Sequence, residues 1–192
     1  MSDSVQRPTL QVIIASTRPG RVGLPVGIWV AEKARQHGGF AVEIADLAEI
    51  ALPLFDEPEH PRLGRYTHEH SRRWSERIAR SDAFVFVFPE YNHGYPATLK
   101  NAIDFLAKEW AFKPVSLVSY GGASGGIRAA AGLLPVLTVL KLLPIAGSLP
   151  IANVSSLVSD GVFTGTERHA ATLRRILDEI ARVTPIAAQL RS

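Results

Sequence analysis

The sequence predicts an α/β fold: a parallel sheet of five strands with helices on both faces. Two observations predict it. Short runs rich in Val, Ile and Phe alternate along the chain with segments whose apolar residues recur at helical spacing. Two of those runs, residues 10–15 (LQVIIA) and 84–88 (FVFVF), are almost wholly apolar, as strands covered on both sides require. The 192 residues suffice for one domain with a sizeable core, and 46% hydrophobic against 20% charged content makes the chain globular.

The totals also exclude function classes. There are no cysteines, so disulfides, thiolate metal sites and cysteine nucleophiles are ruled out. The net charge of +3, with acids and bases interspersed, is too mild to argue for a nucleic-acid partner. Residues 1–8 (MSDSVQRP) are polar and lack an apolar signal core, so a cytoplasmic home is expected, and Asn153-Val154-Ser155 as a glycosylation sequon then means nothing.

In order, residues 10–15 form the first strand. Ser16-Thr17-Arg18-Pro19-Gly20-Arg21 follows, and Val22, Val26, Val30, Ala31 and Ala34 then mark a helix face that Gly38-Gly39 ends. A strand, a loop of hydroxyls, arginines and glycine, and a helix start make an anion site. The free N–H groups and helix dipole attract phosphate, Ser16 and Thr17 add hydroxyls, and Arg18 and Arg21 can grip phosphate oxygens. The loop is neither a P-loop nor G-x-G-x-x-G. An arginine-rich surface turn reads equally well on the loop alone.

Residues 40–47 alternate, as a second strand with one wetter face. Residues 53–67 show no period and hold three prolines, and a loop this long implies a lid or a subunit contact. His60, His68, Glu69 and His70 match no standard metal spacing, so a solvated loop and helix start is expected there. Trp74 and Ile78 anchor the second helix.

The third strand, 84–88, ends at Pro89, which has no N–H for a ladder. A polar loop, 90–95, leads to Pro96 at a helix start, and Leu99, Ala102, Ile103 and Leu106 form the helix's apolar face. Residues 114–120 make the fourth strand. Gly121-Gly122-Ala123-Ser124-Gly125-Gly126 follows, and its glycines let main chain approach a flat ligand. The same stretch fits G-x-S-x-G, with Asp160 and His169 in the right order for a serine hydrolase using Ser124. That alternative leaves the Arg18/Arg21 loop and the 89–92 loop without a task.

Residues 129–143 carry one charge, Lys141, and are too short to span a bilayer, so no membrane partner is expected. A helix without a polar face must be covered, which predicts a homodimer, or a dimer of dimers, using this helix. The last strand lies near 142–151, and Leu173, Ile176, Leu177 and Ile180 mark the final helix, with Thr166 a cap. Five alternating units imply a doubly wound, flavodoxin-like sheet of order 2-1-3-4-5. In that order the loops after the first and third strands meet at the switch point.

With those elements placed, a resemblance becomes visible. Pro89-Glu90-Tyr91-Asn92-x-Gly94-x-Pro96-x-x-Leu99-Lys100-Asn101-Ala102-x-Asp104 resembles the signature of the NADPH-dependent FMN reductases, a group that includes quinone, azo-dye and chromate reductases. Residues 16–21 resemble its phosphate loop, and Ser119-Tyr120-Gly121-Gly122 its third flavin loop. Ala15, where many relatives have glycine, departs from the pattern. The resemblance implies FMN held by Ser16, Arg18, Arg21 and Val22 at the phosphate, by Pro89, Glu90, Tyr91 and Asn92 along the ring edge, and by Ser119, Tyr120, Gly121 and Gly122 on the other side. It further implies NADPH or NADH as hydride donor to the flavin N5 and a small-molecule acceptor such as a quinone, in ping-pong order. In related enzymes the site lies beside the subunit interface. The 53–67 loop, with Tyr66, is therefore expected over the partner's flavin, and Arg62, Arg65, Arg72 and Arg73 are candidates for the NADPH 2′-phosphate.

Overall fold

The computed structural model describes residues 7–191. The polar residues 1–6, part of the stretch read above as carrying no export signal, lie outside them. One sheet has the order β2-β1-β3-β4-β5, all neighbours parallel. Its strands are β1 (Thr9–Ile14), β2 (Ala41–Asp46), β3 (Ala83–Pro89), β4 (Pro114–Tyr120) and β5 (Leu143–Ile151). The helices are α1 (Gly23–His37), α2 (Leu47–Ile50), α3 (Glu69–Ala79), α4 (Ala97–Asp104), α5 (Ile127–Val139) and α6 (Glu167–Ala188). The predicted fold class and strand order are thus the observed ones.

The pleat divides each central strand between two cores. Val85 and Val87 of β3 join Val26, Val30, Leu173 and Ile180 on the α1/α6 face. Phe84, Phe86 and Phe88 point the other way, into Trp74, Ile103, Trp110 and Leu133 below α3, α4 and α5. All seven residues of β3 and of β4 are buried. That is why β3 reads as an unbroken apolar run and β4 as one interrupted only by Ser116 and Ser119, whereas edge strand β2 is partly exposed along its length.

Several boundaries differ from the reading of the sequence. Pro89 is the last residue of β3, opposite Tyr120, where its missing N–H costs little. Pro96 is the N-cap residue of α4, not its first helical residue. Asp46 ends β2 and caps the four-residue α2, accepting from the Ala48 N–H at 3.0 Å.

A small antiparallel hairpin, β6 (Val158–Ser159) and β7 (Val162–Phe163), was not foreseen. Asp160 and Gly161 turn it with φ of +50° and +75°, the Asp-Gly signal of a two-residue hairpin. Phe163 then meets Trp29 of α1 edge-on at 5.3 Å, so the chain between β5 and α6 is drawn back across the α1 face.

Residues 53–67 are stitched down rather than loose. Asn101 donates to the Pro53 carbonyl and accepts from the Phe55 N–H. The Glu57 carboxylate, 8% exposed, accepts from the Thr67 N–H, the Thr67 hydroxyl and the His68 N–H. Burial raises the Glu57 carboxyl, but the Ser71 hydroxyl and the Thr67 and His68 donors outweigh it and hold it at about 2.

Candidate flavin site

Loops at the carboxyl ends of β1, β3, β4 and β5 surround a cavity of about 640 Å³, a volume suited to a mononucleotide. Ten of the predicted residues line it: Ser16, Arg18, Arg21, Val22, Pro89, Glu90, Tyr91, Tyr120, Gly121 and Gly122. The predicted meeting of the first and third loops is a direct contact, since the Ser16 and Tyr91 hydroxyls lie 3.0 Å apart.

The α1 N-terminus opens onto this cavity. Val22 is its N-cap residue, no side chain caps it, and its first turn holds no acid. The amides of Thr17, Arg18, Gly20 and Val22 donate to no group among the described residues. Pro25, inside the opening turn, removes a further surplus donor. The Arg18 side chain is exposed and has no partner among the described residues. An uncapped helix start and an unpaired guanidinium are a complement for a dianionic phosphate.

Arg21 is used differently from the sequence expectation. Its guanidinium forms a two-point pair with Asp46, at 2.7 and 2.5 Å, and also donates to the Ser16 carbonyl at 2.6 Å. Asp46 is 4% exposed, so the pair is a buried strut that ties the first loop to β2. Arg21 lines the cavity, but its hydrogen bonds run into the protein.

Glu90 is also committed. Its N–H donates to the Tyr120 carbonyl, and its carboxylate accepts from the Arg128 and Ala129 amides at the start of α5 and from the Arg128 guanidinium. Burial pushes the carboxyl up, but the Ala129 and Arg128 donors prevail and hold it below its usual value. The following turn is fixed by reciprocal Tyr91–Gly94 main-chain bonds, with Asn92 and His93 at φ of +49° and +66°. Asn92 therefore shapes the turn and stays off the cavity wall.

Ser119 stays off the wall too. Its buried hydroxyl donates to the Gly125 carbonyl at 2.8 Å and braces the glycine loop from behind. The alternation of a strand explains it, since Tyr120 is the neighbour that faces the α1 side. The Tyr120 hydroxyl is buried without a hydrogen-bond partner, and burial, then the neighbouring Tyr91, raises its pKa. It lies against Gly23, where an added Cβ would crowd it, so glycine suits the start of α1. Gly122 has open space where a Cβ would be, which leaves its main chain accessible to a flat ligand.

The hydrolase alternative has no geometry. The Ser124 hydroxyl donates to Glu90 at 3.3 Å. His169 is bound into the capping box of α6, with its Nδ1 accepting from the Thr166 N–H and its own N–H donating to the Thr166 hydroxyl. Asp160 sits in the β6–β7 turn and accepts from the Ser159 hydroxyl. Among the described residues no hydrogen bond joins the three.

Tyr66 is engaged within its own chain. Its hydroxyl donates to Glu109 of the same chain at 2.7 Å, and its ring packs on the Phe84 side of the sheet. Of the four arginines, Arg65 pairs with Glu59, and Arg72 is held by Glu69 and the carbonyls of Tyr66 and Thr67, which leaves Arg62 and Arg73 unpaired among the described residues. No group of three or more His, Asp or Glu side chains is placed to hold a metal among the described residues. Likewise, no helix among them is long and apolar enough to cross a membrane. The sequence reading missed Asn153, Val154, Ser155 and Ser156, which line the cavity from the β5 side.

The profile of the NADPH-dependent FMN reductases matches residues 8–156. The chain belongs to this family of oxidoreductases. Among its relatives, an NAD(P)H-dependent FMN reductase of Schizosaccharomyces pombe is 38% identical over 92% of this chain and 90% of its own length. A quinone reductase of Pseudomonas putida is 33% identical over 63% of this chain and 64% of its own length. Among solved structures, the flavoenzyme NAD(P)H:(acceptor) oxidoreductase FerB of Paracoccus denitrificans superposes with a TM-score of 0.72 at 25% identity, covering 94% of this chain and 98% of its own.

Proposed function

We propose that this chain binds FMN in the four-loop cavity and reduces a small acceptor, such as a quinone, at the expense of NADPH or NADH. One observation carries the reading: the uncapped α1 N-terminus and the unpaired Arg18 open onto the same cavity as the side-chain-free main chain of Gly121 and Gly122. A phosphate and a flat ring are the two chemistries that those groups fit. When bound, FMN supplies the hydride-accepting and hydride-donating chemistry.

Every other part belongs to the chain. Arg18 and the amides of Thr17, Arg18, Gly20 and Val22 hold the phosphate, with the Ser16 hydroxyl beside them. Arg21 holds the loop that presents them, through Asp46 and the Ser16 carbonyl. Pro89, Glu90 and Tyr91 present main chain along the ring edge, and the Glu90 carboxylate fixes that edge by anchoring on α5. Gly121 and Gly122 admit the ring from the other side.

The chain also assembles as a homodimer in this reading. Ala129, Leu133 and Leu137 of α5 face the sheet, while Ile127, Leu134 and Val139 on the same helix are 53%, 42% and 65% exposed. Light scattering at micromolar concentration should give twice the chain mass or a multiple of it, and a monomer would refute the interface.

The first test of function is spectral. The purified protein, supplied with FMN, should show a protein-bound flavin spectrum that bleaches on anaerobic NADPH addition and returns with a quinone. A protein that binds no added FMN would overturn the reading.

A further inference from the structure

The turn after β5 is built like a binding loop, although no motif announces it. Its main chain is pinned: the Asn153 N–H donates to the Gly122 carbonyl at 2.9 Å and the Val154 N–H to the Gly121 carbonyl at 3.2 Å. The Asn153 carbonyl accepts from the Ser156 N–H and from the Ser156 hydroxyl, at 3.0 and 2.8 Å. Asn153 takes the left-handed conformation, φ +49°, which asparagine tolerates better than most residues. Val154 is 4% exposed in the α1/α6 core, and Val22 at the mouth of α1 packs against the same core. The turn is thereby held rigidly against the loop that carries Gly121 and Gly122.

Its polar groups, in contrast, are uncommitted. The Asn153 carboxamide, the Ser155 hydroxyl and the Ser155 N–H have no partner among the described residues, while both residues line the cavity. A rigid main chain with free donors is preorganised for a ligand, because little entropy is lost when it binds.

We propose that residues 153–156 form a fourth flavin-binding loop, in which Asn153 and Ser155 donate to the ribityl-phosphate chain of FMN rather than to its ring. The inference rests on the FMN reading above. The chain is the part that suits them: its hydroxyl and phosphate oxygens accept from many directions, and the loop shares a core with the helix start assigned to the phosphate.

The test compares FMN with lumiflavin, which has the ring but no ribityl chain, by flavin-fluorescence titration of the apoprotein. The double variant Asn153→Ala/Ser155→Ala should raise the Kd for FMN about tenfold or more and leave that for lumiflavin within twofold. An FMN Kd within twofold of wild type would overturn the proposal. Equal weakening of both ligands would overturn the assignment to the chain. A wild-type protein that binds neither ligand would instead overturn the FMN reading, so the two failures are distinct. If the double variant fails to fold, Ser155→Ala alone, at an exposed position, should still weaken FMN about threefold without affecting lumiflavin.

Discussion

Arg18 and Arg21 lie three positions apart in one loop, yet Arg21 is spent on Asp46 and the Ser16 carbonyl while the Arg18 side chain has no partner among the described residues, so the proposed function gives them separable work. Replacing Arg21 by Ala leaves the Asp46 carboxylate, 4% exposed, with the Ala48 N–H as its remaining hydrogen-bond donor. Removing one partner of a buried ion pair costs about 3–5 kcal/mol, and the partial exposure of Arg21 argues for about 3. For a chain of this size that lowers the melting temperature by roughly 6–12 °C. The assay is thermal and urea denaturation of the apoprotein, because bound FMN would add its own linked stability. Adding Asp46→Asn to Arg21→Ala removes the stranded charge and keeps an oxygen for the Ala48 N–H, so about 1 kcal/mol or more should return. Arg18→Ala, which breaks no contact, should leave stability within about 0.5 kcal/mol. It should weaken FMN by about 1.5–3 kcal/mol, roughly ten- to a hundredfold, and leave riboflavin, which has no phosphate, unaffected. Unchanged melting of Arg21→Ala, or FMN affinity of Arg18→Ala within twofold of wild type, would refute the division of labour.

Three further outcomes follow from groups away from the cavity. Glu57 is held at about 2 against 4.5 unfolded, so its contribution is present above 4.5 and lost as pH falls through 2. Glu57→Gln should thus cost about 3 kcal/mol at neutral pH, a difference that shrinks toward zero in acid denaturation series. Lys113, 4% exposed, donates to the Ile78 and Ala79 carbonyls at the end of α3, and burial, reinforced by Arg191, lowers it to about 8. The unfolded chain binds the extra proton between about 8 and 10.5, so wild-type stability should rise through that window relative to Lys113→Met; a flat difference would contradict the assignment. Tyr66→Phe should cost about 1 kcal/mol through the lost Glu109 bond without changing the KM for a quinone, and a raised KM would restore Tyr66 to the acceptor site.

The sequence alone determined the parallel sheet, its order and the three loops that meet over it. Burial on both faces leaves an unbroken apolar run at β3, and β4, buried throughout, breaks its own only with two serines; proline and glycine mark where these strands stop. Residue type also pointed to a candidate anion site, because arginine, hydroxyls and a helix start carry that chemistry, although an arginine-rich surface turn reads equally well on the loop alone. What the sequence did not carry is which way each side chain is spent. Arg21 reads like Arg18 until β2 delivers Asp46 beside it, a partner 25 positions away. Ser119 reads like its neighbours until the pleat turns it behind the glycine loop. Ser124 and His169 fit a motif until Glu90 and Thr166 claim them. The wall at 153–156 carries no ligand-binding motif: it reaches the cavity because its main chain bonds to the Gly121 and Gly122 carbonyls and Val154 is buried in the α1/α6 core. Local pattern fixes elements and chemistry, whereas hydrogen-bond partners and cavity walls come from residues far apart in the chain, and only packing brings those together.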